Sequence, residues 1–245
     1  MEAILETKRL TRFFGGLSAV SDLDLELSRD RVTSIIGPNG AGKTTLFNLI
    51  TGRLSPSSGK IFFKGHDITH LPTHEILLRG IARSFQVTNV FQGLTVYENI
   101  RISCQSKVAG LNLFSKTSHL SEVNQRALDL LKTLGLLERR DELAGNLSHG
   151  EQRILEVGMA LATKPELLLL DEPTAGLSPE ETSAFAQFVK EISRELTVVL
   201  IEHDMDVVMK ISDWVVVMHQ GRKLMEGTPQ QVKENEEVNL VYFGE

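Results

Sequence analysis

The run Gly37-Pro38-Asn39-Gly40-Ala41-Gly42-Lys43-Thr44 has the spacing G-x-x-x-x-G-K-[ST], and that spacing has a chemical use. Glycine lets consecutive backbone N–H groups turn inward around phosphate oxygens, where a Cβ would obstruct. Lys43 supplies a full positive charge to the β- and γ-phosphates, and the Thr44 hydroxyl can ligate Mg²⁺. Asn39, Gly40, Gly42, Lys43, Thr44 and Thr45 are the candidate nucleotide contacts. A second group of functional atoms stands at Leu167-Leu168-Leu169-Leu170-Asp171-Glu172, an apolar strand ending in two carboxylates. Without the glycine loop these would read as two solvated acids. With it, Asp171 is placed to hold a Mg²⁺ shell. Glu172 points elsewhere and can polarise an attacking water, provided it comes within hydrogen-bond reach. Gln86 and His203 each follow an apolar run, where α/β sheets place ligand sites. Taken alone each is weak, because some polar residue must stand at every strand exit.

Elements must hold these groups in place. Val32–Ile36 reads as a short buried strand ahead of the glycine loop, and 43–51 as the helix after it, closed by Gly52. Lys60–Lys64 with Gly65 reads as a strand and turn, and Ile81–Phe85 as another strand. From Asn89 to Ala162 no strong strand pattern occurs. There, 107–118 reads as an irregular insertion or weak helix. Val123, Ala127, Leu130, Leu131 and Leu134 form one helical face within 121–134. Ser148 with Glu151 three residues on is a capping box opening a helix to about Ala162. Leu167–Leu170 and Thr197–Ile201 bracket a helix near 179–196, an order that argues a parallel βαβ sheet. Trp214–Met218 and Arg222–Met225 read as a terminal hairpin. The expected architecture is an α/β core over 1–88 and 163–245, interrupted by a helical insertion over 89–162.

Composition limits the partners. The chain has 245 residues, 26 basic and 32 acidic side chains and a net charge of −6. That balance argues against non-specific nucleic-acid binding, which needs a dense basic surface. A single cysteine, Cys104, excludes an internal disulfide framework and fits a reducing compartment; it reads as a small buried residue. His66, His70, His74, His119 and His219 have no ligand spacing and read as surface or turn residues. The start, Met1-Glu2-Ala3-Ile4-Leu5-Glu6, lacks the pattern of a secretory signal. No apolar run approaches the roughly 20 residues that span a bilayer. The expectation is a soluble, cytoplasmic chain that reaches a membrane only through a partner.

The glycine loop, Gln86, Leu147-Ser148-His149-Gly150-Glu151-Gln152, Asp171-Glu172 and His203 occur in one order. That order closely resembles the nucleotide-binding domain of ABC transporters across nearly the whole chain. The resemblance implies a P-loop NTPase (RecA-like) core with an antiparallel β subdomain and an inserted helical subdomain. It implies ATP and Mg²⁺ as ligands. Gln86 then stands near Mg²⁺ and the transmembrane partner, Glu172 is the catalytic base and His203 contacts the γ-phosphate. Phe14 resembles the aromatic that stacks on adenine, with Phe13 as the alternative. Ser148 Oγ and the Gly150 N–H would face the γ-phosphate bound by a second protomer, so that hydrolysis needs a head-to-tail dimer. Two positions depart from the pattern: His149 stands where glycine is usual, and Ser178 where aspartate is usual. A side chain at 149 must then point away from the nucleotide.

Leu10-Thr11-Arg12-Phe13-Phe14-Gly15-Gly16-Leu17, the Leu147–Gln152 segment and the ending Val241-Tyr242-Phe243-Gly244-Glu245 together look like ATPase subunits of branched-chain amino-acid (Liv-type) importers. Relatives of that group carry other small polar solutes. The implied partners are a second ATP-binding subunit (identical or paralogous), transmembrane permease subunits and, indirectly, a substrate-binding protein at the cytoplasmic membrane face. Val87–Phe91 and Val96–Ile100, beside Glu98, offer apolar anchors for the permease, with packing inside the helical subdomain as the alternative. An ABC ATPase of another kind, for lipopolysaccharide extraction or a non-transport role, stays open. A GTPase does not fit, since no Asn-Lys-x-Asp occurs.

Overall fold

The structure is a computed structural model and describes residues 2–84, 90–105 and 117–243. It opens with two long strands, β1 (Ala3–Phe14) and β2 (Leu17–Ser28), followed by β3 (Val32–Ile36) and α1 (Lys43–Ile50). Next come β4 (Ser58–Phe63), β5 (His66–Asp67), α2 (Thr73–Arg79) and β6 (Ile81–Arg83). Three helices follow, α3 (Val96–Gln105), α4 (Thr117–Thr133) and α5 (His149–Leu161). The chain then alternates through β7 (Leu167–Asp171), α6 (Pro179–Ile192), β8 (Thr197–Ile201) and α7 (Met205–Ile211). It ends with β9 (Trp214–His219), β10 (Arg222–Gly227), α8 (Pro229–Lys233) and α9 (Glu236–Phe243).

Among the described residues, ten strands form two sheets. One is antiparallel, in the order β2-β1-β4-β5; the other runs β10-β9-β3-β8-β7-β6. In the second sheet every pairing is parallel except β9 with β10. Both faces of its central strands are covered, so β3, β7 and β8 are buried throughout and read as unbroken apolar runs. The period of two still sorts the side chains. Leu168 and Leu170 of β7 enter the core shared with α3–α6. Leu167 and Leu169 enter the core shared with α1 and the antiparallel sheet. Each buried leucine contributes about 1.5–3 kcal/mol.

Several boundaries differ from the sequence reading. The two N-terminal strands went unread, although Leu23-Asp24-Leu25-Glu26-Leu27 alternates cleanly and its leucines are buried. The expected Ile81–Phe85 strand has a described part that ends at Arg83, with the Ser84 N–H still donating to the Leu169 carbonyl at 2.9 Å. Helix α6 stops at Ile192 rather than Leu196. The β9–β10 hairpin is not terminal, since α8 and α9 follow it. Val96 and Ile100 are fully buried against α4 and α5, so they are packing residues and not docking anchors. Phe91, 52% exposed, is held on the surface by buried Asn99, which accepts from the Phe91 N–H at 2.8 Å and donates to its carbonyl at 3.1 Å. Val87–Asn89, and most of the irregular stretch expected over 107–118, lie outside the described residues.

Candidate functional site

The glycine loop connects the C-terminal end of β3 to the start of α1, between the two sheets. Gly42 adopts φ +99°, and a Cβ there would stand 2.2 Å from the Ala19 carbonyl oxygen of β2. A Cβ on Gly37 would stand 2.1 Å from the Met218 carbonyl oxygen of β9. The loop therefore presses bare backbone against both sheets, which only glycine permits. The turn after β9 adds a tether, with the Gly221 N–H donating to the Ala41 carbonyl at 3.0 Å and the Ser21 N–H to the Gly221 carbonyl at 2.9 Å. Helix α1 carries no acidic residue in its first turn, so its positive end is left for an anion.

Lys43 folds back over the loop, and Nζ donates to the Gly37 carbonyl at 2.5 Å and the Pro38 carbonyl at 3.1 Å. Burial pushes its ammonium below the ordinary lysine range, while the Glu172 and Asp171 carboxylates oppose that shift. A cleft of about 720 Å³ opens on the loop, lined by Asn39, Gly40, Gly42, Lys43, Thr44 and Thr45 together with Phe14 and Glu172. The volume suits a nucleotide-sized ligand. Phe14 stands on the cleft wall with the Arg12 guanidinium 4.8 Å from its ring centre.

The two carboxylates at the end of β7 take different environments. Asp171 is buried, and Oδ2 accepts from Arg83 at 2.6 Å. Its Oδ1 is buried with no hydrogen-bond partner among the described residues. A buried, orphaned carboxylate oxygen behind a loop that offers the Thr44 hydroxyl is chemically suited to a Mg²⁺ shell of oxygens and waters. Glu172 reaches the cleft from a left-handed backbone, φ +46°. That conformation is costly for a residue with a Cβ. It is braced on both sides. The Glu172 N–H donates to the Ile201 carbonyl at 3.0 Å. Arg153 of α5 donates to the Glu172 and Pro173 carbonyls, each at 3.0 Å.

His203 is exposed just past β8, and Ile201, two residues earlier, pairs in register with Asp171. Gln86 lies outside the described residues. Ser148 and Gly150 are not on the cleft of their own chain. They form the start of α5, where the predicted capping box is present: Ser148 Oγ accepts from the Glu151 N–H at 3.2 Å, and Glu151 accepts from the Ser148 N–H at 2.9 Å. His149 is exposed. Ser178 caps α6 in the same manner, with Glu181 as its partner. Cys104 is buried in α3, and burial raises its thiol above the usual range, which suits packing rather than nucleophilic chemistry.

Four residues that sequence reasoning passed over support this site. Arg83 links Asp171 to Asn48 of α1, donating to Asn48 Oδ1 at 2.7 Å. Arg153 and Glu156 form a buried pair at 2.7 Å behind the Glu172 carbonyl. Glu202, fully buried before His203, accepts from the Thr174 N–H at 3.1 Å and hydroxyl at 2.7 Å. For Arg83 and Glu202 a signal existed: Arg83 interrupts the Ile81–Phe85 run, and Glu202 directly follows the apolar Thr197–Ile201 run.

A glycine loop between a central parallel strand and a helix, with paired acids ending the neighbouring strand but one, defines a P-loop nucleotide-binding class. Residues 20–175 match the ABC transporter family, and the chain belongs to that family. It is 41% identical over 253 residues to the high-affinity branched-chain amino acid transport ATP-binding protein LivG of Escherichia coli K12, covering 100% of this chain and 99% of that one. Its structure matches the ADP conformation of an ATP-binding cassette of an ABC transporter with a TM-score of 0.88 and 30% identity, covering 100% of both chains. A dimeric ATP-binding cassette in a post-hydrolysis state with ADP and Pi matches with a TM-score of 0.76 and 25% identity, covering 92% of this chain and 98% of that one. Among the described residues no helix is long and apolar enough to cross a membrane.

Proposed function

We propose that this chain is the ATP-hydrolysing subunit of an importer for branched-chain amino acids or related small polar solutes, working at the cytoplasmic membrane face. The similarity to LivG over the full length of both chains carries the cargo class. The permease subunits and a substrate-binding protein would be separate chains. The ATPase itself does not bind cargo.

Under this reading each candidate residue takes a role. Phe14 stacks on the base. The backbone N–H groups from Asn39 to Thr45, with the Lys43 ammonium, hold the phosphates. Thr44, Asp171 and Gln86 would hold Mg²⁺, which would supply positive charge to offset that of the phosphates. Glu172 accepts a proton from the attacking water, and His203 and Gln86 orient the γ-phosphate and that water. Ser148 and Gly150 serve the nucleotide of a second protomer, identical or paralogous. Residues 89–162 act as one helical subdomain against a core of 1–88 and 163–245, and exposed Phe91 lies on its permease-facing side. The similarity to a dimeric ATP-binding cassette with ADP and Pi supports the two-protomer part of this reading.

Hydrolysis by such a dimer depends on encounter of two chains. The ATPase rate per chain, measured with Mg-ATP across a range of protein concentrations, should rise steeply before reaching a plateau. A rate per chain that is constant down to the highest dilution would refute the reading.

A further inference from the structure

One carboxylate joins two helix starts. Glu181 is the third residue of α6, and its Oε2 accepts from the Ser178 N–H at 3.0 Å, closing the α6 capping box. Its Oε1 accepts from the Gly150 N–H, the second residue of α5, also at 3.0 Å. The side chain lies flat on bare backbone: a Cβ on Gly150 would stand 2.9 Å from Glu181 Oε1 and 3.0 Å from Cδ and Cγ. Neighbouring groups at this helix start are held as well. Ser148 takes the Glu151 N–H, and Arg139 grips both Glu151 oxygens at 2.5 and 2.6 Å. Gly150 is thus a fixed donor, and the anion it holds belongs to its own chain.

We propose that Glu181 is an internal substitute for phosphate, a latch that occupies the Gly150 donor in the open chain and must leave before a second protomer's γ-phosphate can dock there. The proposal rests on the reading that Ser148 and Gly150 serve a nucleotide in trans. An amide N–H has one hydrogen, and two anions cannot share it at about 3 Å without strong repulsion. The Ser178 and Gly150 N–H groups hold the Glu181 carboxyl below the ordinary range, so it is an anion at neutral pH. Because the same side chain caps α6, its departure loosens the start of α6 as the α5 site opens. Dimer closure therefore exchanges an intramolecular carboxylate for an intermolecular phosphate.

The test is Mg-ATP-dependent dimerisation of the full chain in a Glu172→Gln background, followed by sedimentation. Glu181→Gln keeps a carbonyl for the α6 cap but removes the charge. Glu181→Asp keeps the charge but is one methylene shorter and withdraws from Gly150. Each should lower the ATP concentration at half-dimerisation by about threefold or more, as expected when a competing state is removed. Ser148→Arg, added to any of them, should abolish dimerisation. If Ser148→Arg abolishes it while both Glu181 variants keep the parent midpoint, the latch is refuted and the dimer reading stands. If Ser148→Arg leaves dimerisation intact, the dimer reading fails and the latch fails with it.

Discussion

Arg83 and Asp171 form a buried ion pair at 2.6 Å, with side chains 6% and 2% exposed. The pair fixes the acid's orientation and leaves Oδ1 without a hydrogen-bond partner among the described residues, the oxygen that the proposed Mg²⁺ shell would use. Arg83 also reaches Asn48 on α1, which ties the ends of β6 and β7 to the helix that follows the phosphate loop. Arg83→Ala would leave a buried carboxylate unpaired, a change that costs about 3–5 kcal/mol. Asn48→Ala should cost about 1 kcal/mol. Urea unfolding of the two variants checks the order. Equal losses would show that the ion pair does not carry the difference.

Glu172 holds its side chain in the cleft from a left-handed backbone. Stability and activity should therefore part at this position. Glu172→Gly relieves a backbone cost of about 1 kcal/mol and should raise the thermal midpoint while removing hydrolysis. Glu172→Gln keeps the strain, keeps ATP binding and should slow hydrolysis by about 10²–10⁴-fold. Calorimetry and phosphate release distinguish the two. A glycine variant that is less stable than the glutamine variant would mean that the carboxylate stabilises the loop by more than its backbone costs.

The phosphate loop, the paired acids and the α5 cap were legible because each is a local pattern: glycine spacing, a strand end, a Ser-x-x-Glu box. The parallel core was legible for the same reason, as short apolar runs that alternate with helical stretches. The partners of Arg83, Arg153, Glu181 and Glu202 were not, because they are 88, 19, 31 and 28 residues away. Such contacts arise from the sheet order and not from spacing along the chain. The β1–β2 pair was missed although its alternation was present, and the Val96 and Ile100 anchors failed because a buried helical stripe and a docking stripe have the same period.

Glu202 gives the fold a specific pH response. Burial raises its carboxyl above the ordinary range, and the Thr174 hydrogen bonds only partly offset this. The unfolded chain releases that proton near 4.5, while the folded chain holds it to a higher pH. In that window the native state binds more protons, so stability falls as pH rises. Glu202→Gln cannot titrate. The unfolding free energy of the parent minus that of the variant should decline as pH rises from about 4.5 and level off above the folded value. A difference that is flat across the window would assign the buried group a fixed charge.

Lys43 is the most direct test of the cleft. Its ammonium is buried and already held by the Gly37 and Pro38 carbonyls, so the loop presents the charge at a defined place before any ligand arrives. A triphosphate gains a charge-assisted hydrogen bond there, worth about 1.5–3 kcal/mol. Lys43→Ala should therefore weaken ATP binding by about ten- to a hundredfold. The Gly37 and Pro38 carbonyls would lose their donor, so a modest loss of stability should accompany the change. Titration with a fluorescent ATP analogue, with unfolding followed on the same sample, separates the two effects. Unchanged affinity in a folded Lys43→Ala variant would mean that the phosphates sit elsewhere and that the cleft at this loop is not the nucleotide site.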